Sequence, residues 1–252
     1  MQLSMPINYA GGFEESARQV AELEKAGLDS AWVAEAYGYD GVSFMGYLAA
    51  KTERVQIASG ILPLYTRTPT LLAMTAAGID ALSNGRCILG LGASGPQVIE
   101  GFHGVIYDKP LARTREIVSI CRKVWAREAP LTNDGPLYSI PVPEGQGTGL
   151  GKPLKIIGHP VRSRIPIYIA SLGEKNVALT AEIQDLYLGG HKQEAMAKVP
   201  AELLEKTSLC GSEGYIKERI AAYKEAGVTS LAITPLAANP AEVVEKLKVW
   251  IA

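Results

Sequence analysis

Four segments set polar or glycine residues at the ends of apolar runs, where parallel α/β folds bind their ligands. The run from Ser30 to Ala36 ends Val-Ala-Glu-Ala-Tyr and places Glu35 at such a rim. A carboxylate there can give or take a proton or bind a polar ligand group; its alternative uses are a salt bridge or a helix N-terminus. The run from Val55 to Leu64 contains Gly60, and a glycine inside a strand marks a bulge, a close approach to a ligand, or tight helix packing. Gly90-Leu-Gly-Ala-Ser-Gly95 misses the dinucleotide spacing GxGxxG and lacks the GK[ST] of a phosphate loop. Its glycines still let backbone N–H groups approach a planar or anionic ligand, with the Ser94 hydroxyl beside them. In Ala170 to Asn176, the N–H groups of Gly173, Glu174 and Lys175 open a helix, which makes an anion site or simple capping.

Other chemistries have little support. His103, His159 and His191 are scattered, no serine sits in a nucleophile elbow, and no carboxylate/histidine cluster has metal spacing. Cys87, Cys121 and Cys210 are an odd, widely spaced set, expected to be reduced thiols buried in the core. Tyr37, Tyr39, Phe44 and Tyr47 can stack on a cofactor ring, although packing is the commoner use of such residues.

Hydrophobic periodicity supplies the elements that hold these segments. Strands are expected at 2 to 9, 30 to 36, 55 to 64 and 87 to 93, with helices over 13 to 28, 42 to 51, 69 to 82 and 111 to 127 between and after them. Strands apolar on both faces, alternating with amphipathic helices, make a parallel sheet covered by helices. The pattern resumes at Ile165 to Ser171 and closes with helix 214 to 226, strand 230 to 234 and helix 240 to 250. Residues 21 to 35 and 221 to 235 echo one another as helix, Ala-Gly, two residues, strand, which suits a barrel whose first and last strands are neighbours. Between them, residues 129 to 164 are dense in proline and glycine and read as a long insertion loop in one domain spanning 1 to 252.

The whole chain has 252 residues, 47% hydrophobic and 20% charged, with 25 basic against 26 acidic side chains, so it can bury a substantial core. That balance leaves no basic footprint for nucleic acid or an anionic membrane. The opening MQLSMPINYAGG lacks the pattern of a signal peptide, and no 18-residue apolar stretch occurs. A soluble cytoplasmic protein acting on a small molecule is the expectation.

The segments WVAEAYGYD (32 to 40), ASGILPLYTRTP (58 to 69), ALSNGRCILGLGASGPQVIEGFHG (81 to 104), KPLARTREIV (109 to 118), GTGLGKPLKI (147 to 156) and IPIYIASLGEKNVALTAEI (165 to 183) together resemble the bacterial luciferase-like monooxygenase superfamily. SNGR before a GLG strand is general to that superfamily, whereas GPQVxEGxHG with KPLARTRE resembles its narrower branch of oxidoreductases using the deazaflavin coenzyme F420. The resemblance implies a (β/α)8 TIM-type barrel with the deazaflavin at the carboxyl ends of its strands. It places the coenzyme against Ala36, Gly60, Ile61, Ser94, Gly95, Pro96, Gln97, Gly173, Glu174 and Lys175, with a non-proline cis peptide at Gly60-Ile61 and Glu35 in a proton role. Related barrels hold FMN at the same strand ends, which is the alternative cofactor.

Two departures from the family pattern stand out. The sugar-phosphate dehydrogenase branch has a histidine after the strand-two acid, and Ala36 stands there instead. The chain also runs from TAEI directly into QDLYLGG, where relatives carry two further strands, which implies a deletion junction near 181 to 186 and a barrel of six or seven strands. Exposed strand edges would then need covering, most simply in a twofold dimer. A catalytically inactive barrel that associates through those edges is the reading from a different functional class.

Overall fold

The computed structural model describes residues 1–7, 12–170, 193 and 209–252. Its backbone divides into two compact units. The larger comprises Gln2–Ala170 with Ser230–Val249, the smaller Met1, Ser171–Thr229 and Trp250–Ala252.

The larger unit is a parallel sheet with helices between its strands. Strands β1 (Gln2–Ile7), β2 (Ser30–Val33), β3 (Gln56–Ser59), β4 (Leu62–Pro63) and β5 (Cys87–Gly92) alternate with helices α1 (Phe13–Lys25), α2 (Gly41–Lys51) and α3 (Pro69–Leu82). A short helix α4 (Pro96–Gly101), which the sequence reading leaves as loop, and a long α5 (Pro110–Ala126) follow. The insertion carries only a two-residue antiparallel pair, β6 (Asn133–Asp134) and β7 (Ser139–Ile140), before β8 (Ile167–Ile169), which is shorter than expected. The sheet runs β8-β5-β3-β2-β1-β9, with β4 also on β5 and β9 formed by Ser230–Ala232. First and last strands do pair, Gln2 opposite Ser230. Among the described residues β8 and β9 have one strand neighbour each, so six barrel positions are filled and the ring is not closed. The expected helices at 174 to 183 and 193 to 206, the junction near 181 to 186 and the turn Gly173 to Lys175 lie outside the described residues, apart from Gln193.

Local chemistry explains where the elements begin and end. Asp40 caps α2 by accepting the Ser43 N–H (2.8 Å), and Thr68 caps α3 through the Leu71 N–H (3.2 Å) with Pro69 in its first turn. The echoed segments end alike. Gly27 and Gly227 take φ of +104° and +83°, and the N–H of Leu28 and of Val228 reaches back to the carbonyls of Leu23 and Tyr223, both at 2.9 Å. These are two copies of the helix stop that a left-handed glycine permits. In the smaller unit, α6 (Glu213–Glu225) starts at Ser212, and its Lys217 ammonium lies 5.2 Å from the ring centre of Trp250, in the last helix α7 (Pro240–Ile251).

Packing follows the apolar stripes. Leu23 of α1, Leu48 of α2 and Leu72 of α3 are fully buried, each contributing about 2 kcal/mol by removal from water. Helices α3 and α5 pack closely, and the Trp125 indole donates to the Ala73 carbonyl at 2.9 Å. Cys87 and Cys121 are buried thiols, pushed up to about 12 by that burial, whereas Cys210 is exposed, contrary to expectation, because it stands in the turn before α6.

Polar clamps lie at the amino ends of the strands. The Glu24 carboxylate accepts the N–H groups of Glu53 (3.1 Å), Arg54 (2.5 Å) and Val55 (2.6 Å). Arg86, the arginine of SNGR, donates to the carbonyls of Ala49 (3.1 Å), Thr52 (2.8 Å) and Val55 (2.8 Å), so it closes the C-terminal end of α2. Fully buried Asp80 holds the Arg162 Nε at 3.1 Å and accepts the Cys87 N–H, which ties the end of the insertion to the start of β5.

One irregularity interrupts the ladder. Strand β3 pairs Ala58 with Ile88, and β4 pairs Leu62 with Leu91, so residues 59 to 61 face only residues 89 and 90. The extra residue is a bulge, and the peptide inside it, Gly60-Ile61, is cis. Ser59 replaces the lost ladder bonds with its hydroxyl, which accepts the Gly90 N–H and donates to the Gly90 carbonyl, both at 2.8 Å.

Two consequences can be measured. Burial alone would raise the Glu24 pKa, but three backbone donors and the charge of Arg86 outweigh it and hold the group below 4.5. A depressed carboxylate stabilises the fold above its unfolded pKa and ceases to do so as pH falls through the folded value. Urea unfolding should therefore show an acid loss of stability below pH 4.5. Glu24→Gln should blunt that loss while costing about 1–3 kcal/mol at neutral pH. In a Gly90→Ala variant the new methyl would stand 1.8 Å from the Ser59 carbonyl oxygen. Backbone must move to admit it, so thermal unfolding should report a loss of at least about 2 kcal/mol.

Candidate active site

The carboxyl ends of the parallel strands share one side of the sheet, and three of the sequence segments meet there among the described residues. Gly60 and Ile61 are half-buried at the bulge after β3. Ile61 reaches the end of β5, where a side chain built on Gly92 would come within 3.1 Å of its Cγ1. Ser94 follows with φ of +59°, then Gly95 immediately before α4, with Pro96 and Gln97 exposed in its first turn. Glu35 and Ala36, beyond β2, are also half-buried. The structure therefore brings Glu35, Ala36, Gly60, Ile61 and Ser94 to Gln97 to one rim.

The space beside Gly60 is not open. A methyl there would meet the Trp32 side chain at 3.3 Å, and one on Gly90 would meet the same ring at 3.4 Å. Trp32 lies across both glycines, 5.4 Å from the ring of Tyr168 on β8, with its indole N–H on the Ser30 hydroxyl at 3.1 Å. The glycines make room for a tryptophan of the protein itself, where the sequence reading reserves the room at Gly60 for a ligand.

Glu35 is engaged rather than free. Its carboxylate forms a two-pronged ion pair with Arg67, one contact being 2.8 Å, and its Oε2 accepts the Gly41 N–H at 2.9 Å. Both side chains are shielded, with exposures of 10% for Glu35 and 14% for Arg67. Arg67 also reaches Asp40, the cap of α2, at 2.8 Å. The hydrogen bond with Glu35, opposed by burial, holds the Arg67 guanidinium above its ordinary pKa. Both alternative uses of a rim carboxylate, the salt bridge and the helix start, are thus realised by Glu35 at once.

A second shielded cluster supports the turn at Ser94. Tyr107 stacks on Tyr65 with ring centres 5.1 Å apart, and its hydroxyl stands 3.5 Å from the Ser94 carbonyl. Arg113, the first arginine of KPLARTRE, lies 4.7 Å above the Tyr65 ring and donates to the Tyr138 hydroxyl at 2.7 Å. Burial raises the pKa of both Tyr65 and Tyr138, so neither is an acid near neutral pH.

Of the aromatic residues near β2, Phe44 is buried against Phe13, with ring centres 4.5 Å apart, and Tyr39 packs edge-on to Phe13. Tyr37 alone of that set turns to the rim, 6.3 Å from Phe102 on the far side. His159 lies in the insertion beside Arg127, away from the rim, and His191 is outside the described residues. Among the described residues no group of three histidine, cysteine or acidic side chains has the spacing of a metal site, and no helix is long and apolar enough to cross a membrane. Sequence reasoning missed Trp32, Arg67 and Arg113. A strand-borne tryptophan opposite two glycines was the available signal for the first, and Asp108, five residues before Arg113 and paired with it, was a local signal for the third; Glu35 lies 32 residues from Arg67 and leaves no local pattern.

Comparison with known proteins bears on this rim. Residues 2–191 match the family described as Luciferase-like monooxygenase. A Mycobacterium tuberculosis protein named "Putative coenzyme F420-dependent oxidoreductase" is 46% identical over 208 residues, which are 82% of this chain and 60% of that protein. A 5,10-methylenetetrahydromethanopterin reductase of Archaeoglobus fulgidus is 33% identical over 164 residues, 64% of this chain and 45% of the reductase. The chain thus spans about half to three fifths of the length of these curated relatives. Among solved structures, the coenzyme F420 dependent tetrahydromethanopterin reductase from Methanopyrus kandleri has a TM-score of 0.74 at 16% identity, covering 97% of this chain and 96% of that one, which is a likeness of fold. With the matched region running from β1 past β8, this chain belongs to the luciferase-like monooxygenase family.

Proposed function

We propose that this chain is an oxidoreductase that binds coenzyme F420 at the strand-end rim and acts on a small organic molecule. The observation that carries the reading is the half-buried Gly60-Ile61 bulge beside the Ser94-Gly95 turn, in a chain 46% identical to a protein named for that coenzyme. The rim fits a planar ring: Ala36, Gly60, Ile61, Ser94 and Gly95 offer small or aliphatic, half-buried surface. Pro96 and Gln97 border it. By the family resemblance, Gly173, Glu174 and Lys175, which lie outside the described residues, are the groups that would hold the coenzyme's polar tail. When bound, the deazaflavin supplies a hydride donor or acceptor. The protein's part is to orient the ring and keep water from its face, with Trp32 as a rigid backing for the bulge.

Glu35 is a positioning residue in this proposal. Its carboxylate fixes Arg67, and Arg67 fixes the start of α2 through Asp40, so the loop bearing Ala36 keeps its path. A proton relay through Glu35 would first have to give up the Arg67 pair. The twofold dimer belongs to the same proposal: β8 exposes Tyr168 and Ile169, which a second copy would cover.

Titration of the full chain with F420 and, separately, with FMN tests the cofactor. Fluorescence of F420 should change saturably at micromolar concentration and that of FMN should not; the opposite result would overturn the deazaflavin reading in favour of FMN. For Glu35→Gln, the expected result is weaker F420 binding together with a lowered melting temperature, partly restored in Glu35→Asp. A fall in turnover of about 100-fold at unchanged affinity and stability would instead return the residue to the proton role.

A further inference from the structure

A cavity of about 510 Å3 lies between α3, the last turns of α5 and the insertion, apart from the rim residues assigned above. This is the size of a small-molecule pocket, roughly 300–1,000 Å3. Its wall is aliphatic: Met74, Val124, Leu131, Leu154, Ile156 and Ile157 line it. Three of these remain open to water, Met74 by 54%, Leu154 by 65% and Ile157 by 95%. Uncovered aliphatic surface of this extent costs about 25 cal/mol for each Å2 left in water, which favours an apolar occupant.

The charged residues of the same wall are all cationic. Lys123, Arg127, Lys152 and Lys155 stand around it, and no carboxylate is among its lining residues. Lys123 donates to the Thr132 carbonyl (3.0 Å), Arg127 to the Ile156 carbonyl (3.0 Å) and Lys155 to the Glu128 carbonyl (3.1 Å). A carbonyl orients a cation without cancelling its charge, so the site keeps a positive field. No aromatic side chain lines the cavity to stack on a planar ring, and Thr70 is the sole hydroxyl or amide side chain available to a sugar or nucleotide.

We infer that this cavity binds a free long-chain carboxylate, with its alkyl chain on the aliphatic wall and its head group among the four cations. The insertion thereby has a ligand of its own, distinct from the coenzyme. It supplies nine of the fourteen lining residues, from Ala129 to Gly158.

Calorimetric titration of the full chain with oleate, kept below its micellar concentration, tests the inference. One saturable site is expected, with oleyl alcohol binding roughly ten-fold more weakly because it brings no charge to the cations. Met74→Glu sets a carboxylate against the chain, and Lys152→Glu reverses a charge at an exposed position. Each should lower oleate affinity at least about five-fold with an unchanged circular dichroism spectrum, and Lys152→Arg should keep it. Equal affinity for the alcohol, unchanged affinity in both acidic variants, or no saturable binding would overturn the proposal. So would binding confined to phosphatidylglycerol vesicles, or light scattering that shows self-association abolished by Met74→Glu, since a membrane or a second copy would then be the occupant.

Discussion

Ser59 and Gly90 come too close for a regular ladder, and much of the rim follows from that contact. The Ser59 carbonyl fills the place where a side chain on Gly90 would start, and the Ser59 hydroxyl takes over both backbone groups of Gly90. The strand can regain its pairing with β5 only by inserting one residue, which it does at 59 to 61. That insertion turns Gly60 and Ile61 out at the carboxyl edge, next to the turn at Ser94. Trp32 then settles over the two glycines and keeps the bulge from relaxing inward.

The two ends of the larger unit do different work. At the amino ends of the strands, Glu24, Arg86 and Asp80 satisfy backbone groups that would otherwise be buried without partners. At the carboxyl ends the rim surface is half-buried, with small residues where the chain turns. Such a division is the one seen in parallel α/β barrels, where stability and chemistry occupy opposite faces. Glu35 departs from it in part, because it sits on the chemical side and is tied as firmly as the clamps below.

The insertion is also held at its C-terminal end. Arg162 is anchored on Asp80, and Arg122 of α5 reaches the Ile165 carbonyl at 2.6 Å. Between those anchors and β6–β7 the chain crosses the outer faces of α3 and α5 without filling the space beneath it. A loop fixed at its C-terminal end and irregular before it leaves room of this kind, since no periodic element is present to press apolar side chains against the helices.

Periodicity alone determined the alternation of strands and helices, the extent of α3 at Pro69–Leu82, and the echo between the first and last βα units. These depend on spacing within ten or fifteen residues, which a linear reading captures. Ser94 and Glu35 were legible for the same reason, each following or ending a run of strand residues, and Gly60 as a glycine inside one. What each does there was decided only in three dimensions. The partner of Glu35 is Arg67, 32 positions on, and the neighbour of Gly60 is Trp32 from another strand. The shift of register at 59 to 61 depends on how closely β3 approaches β5, a distance no sequence period encodes. Local preference sets which elements form, whereas contacts between residues remote in the chain set the charge, the space and the freedom of each side chain at the site.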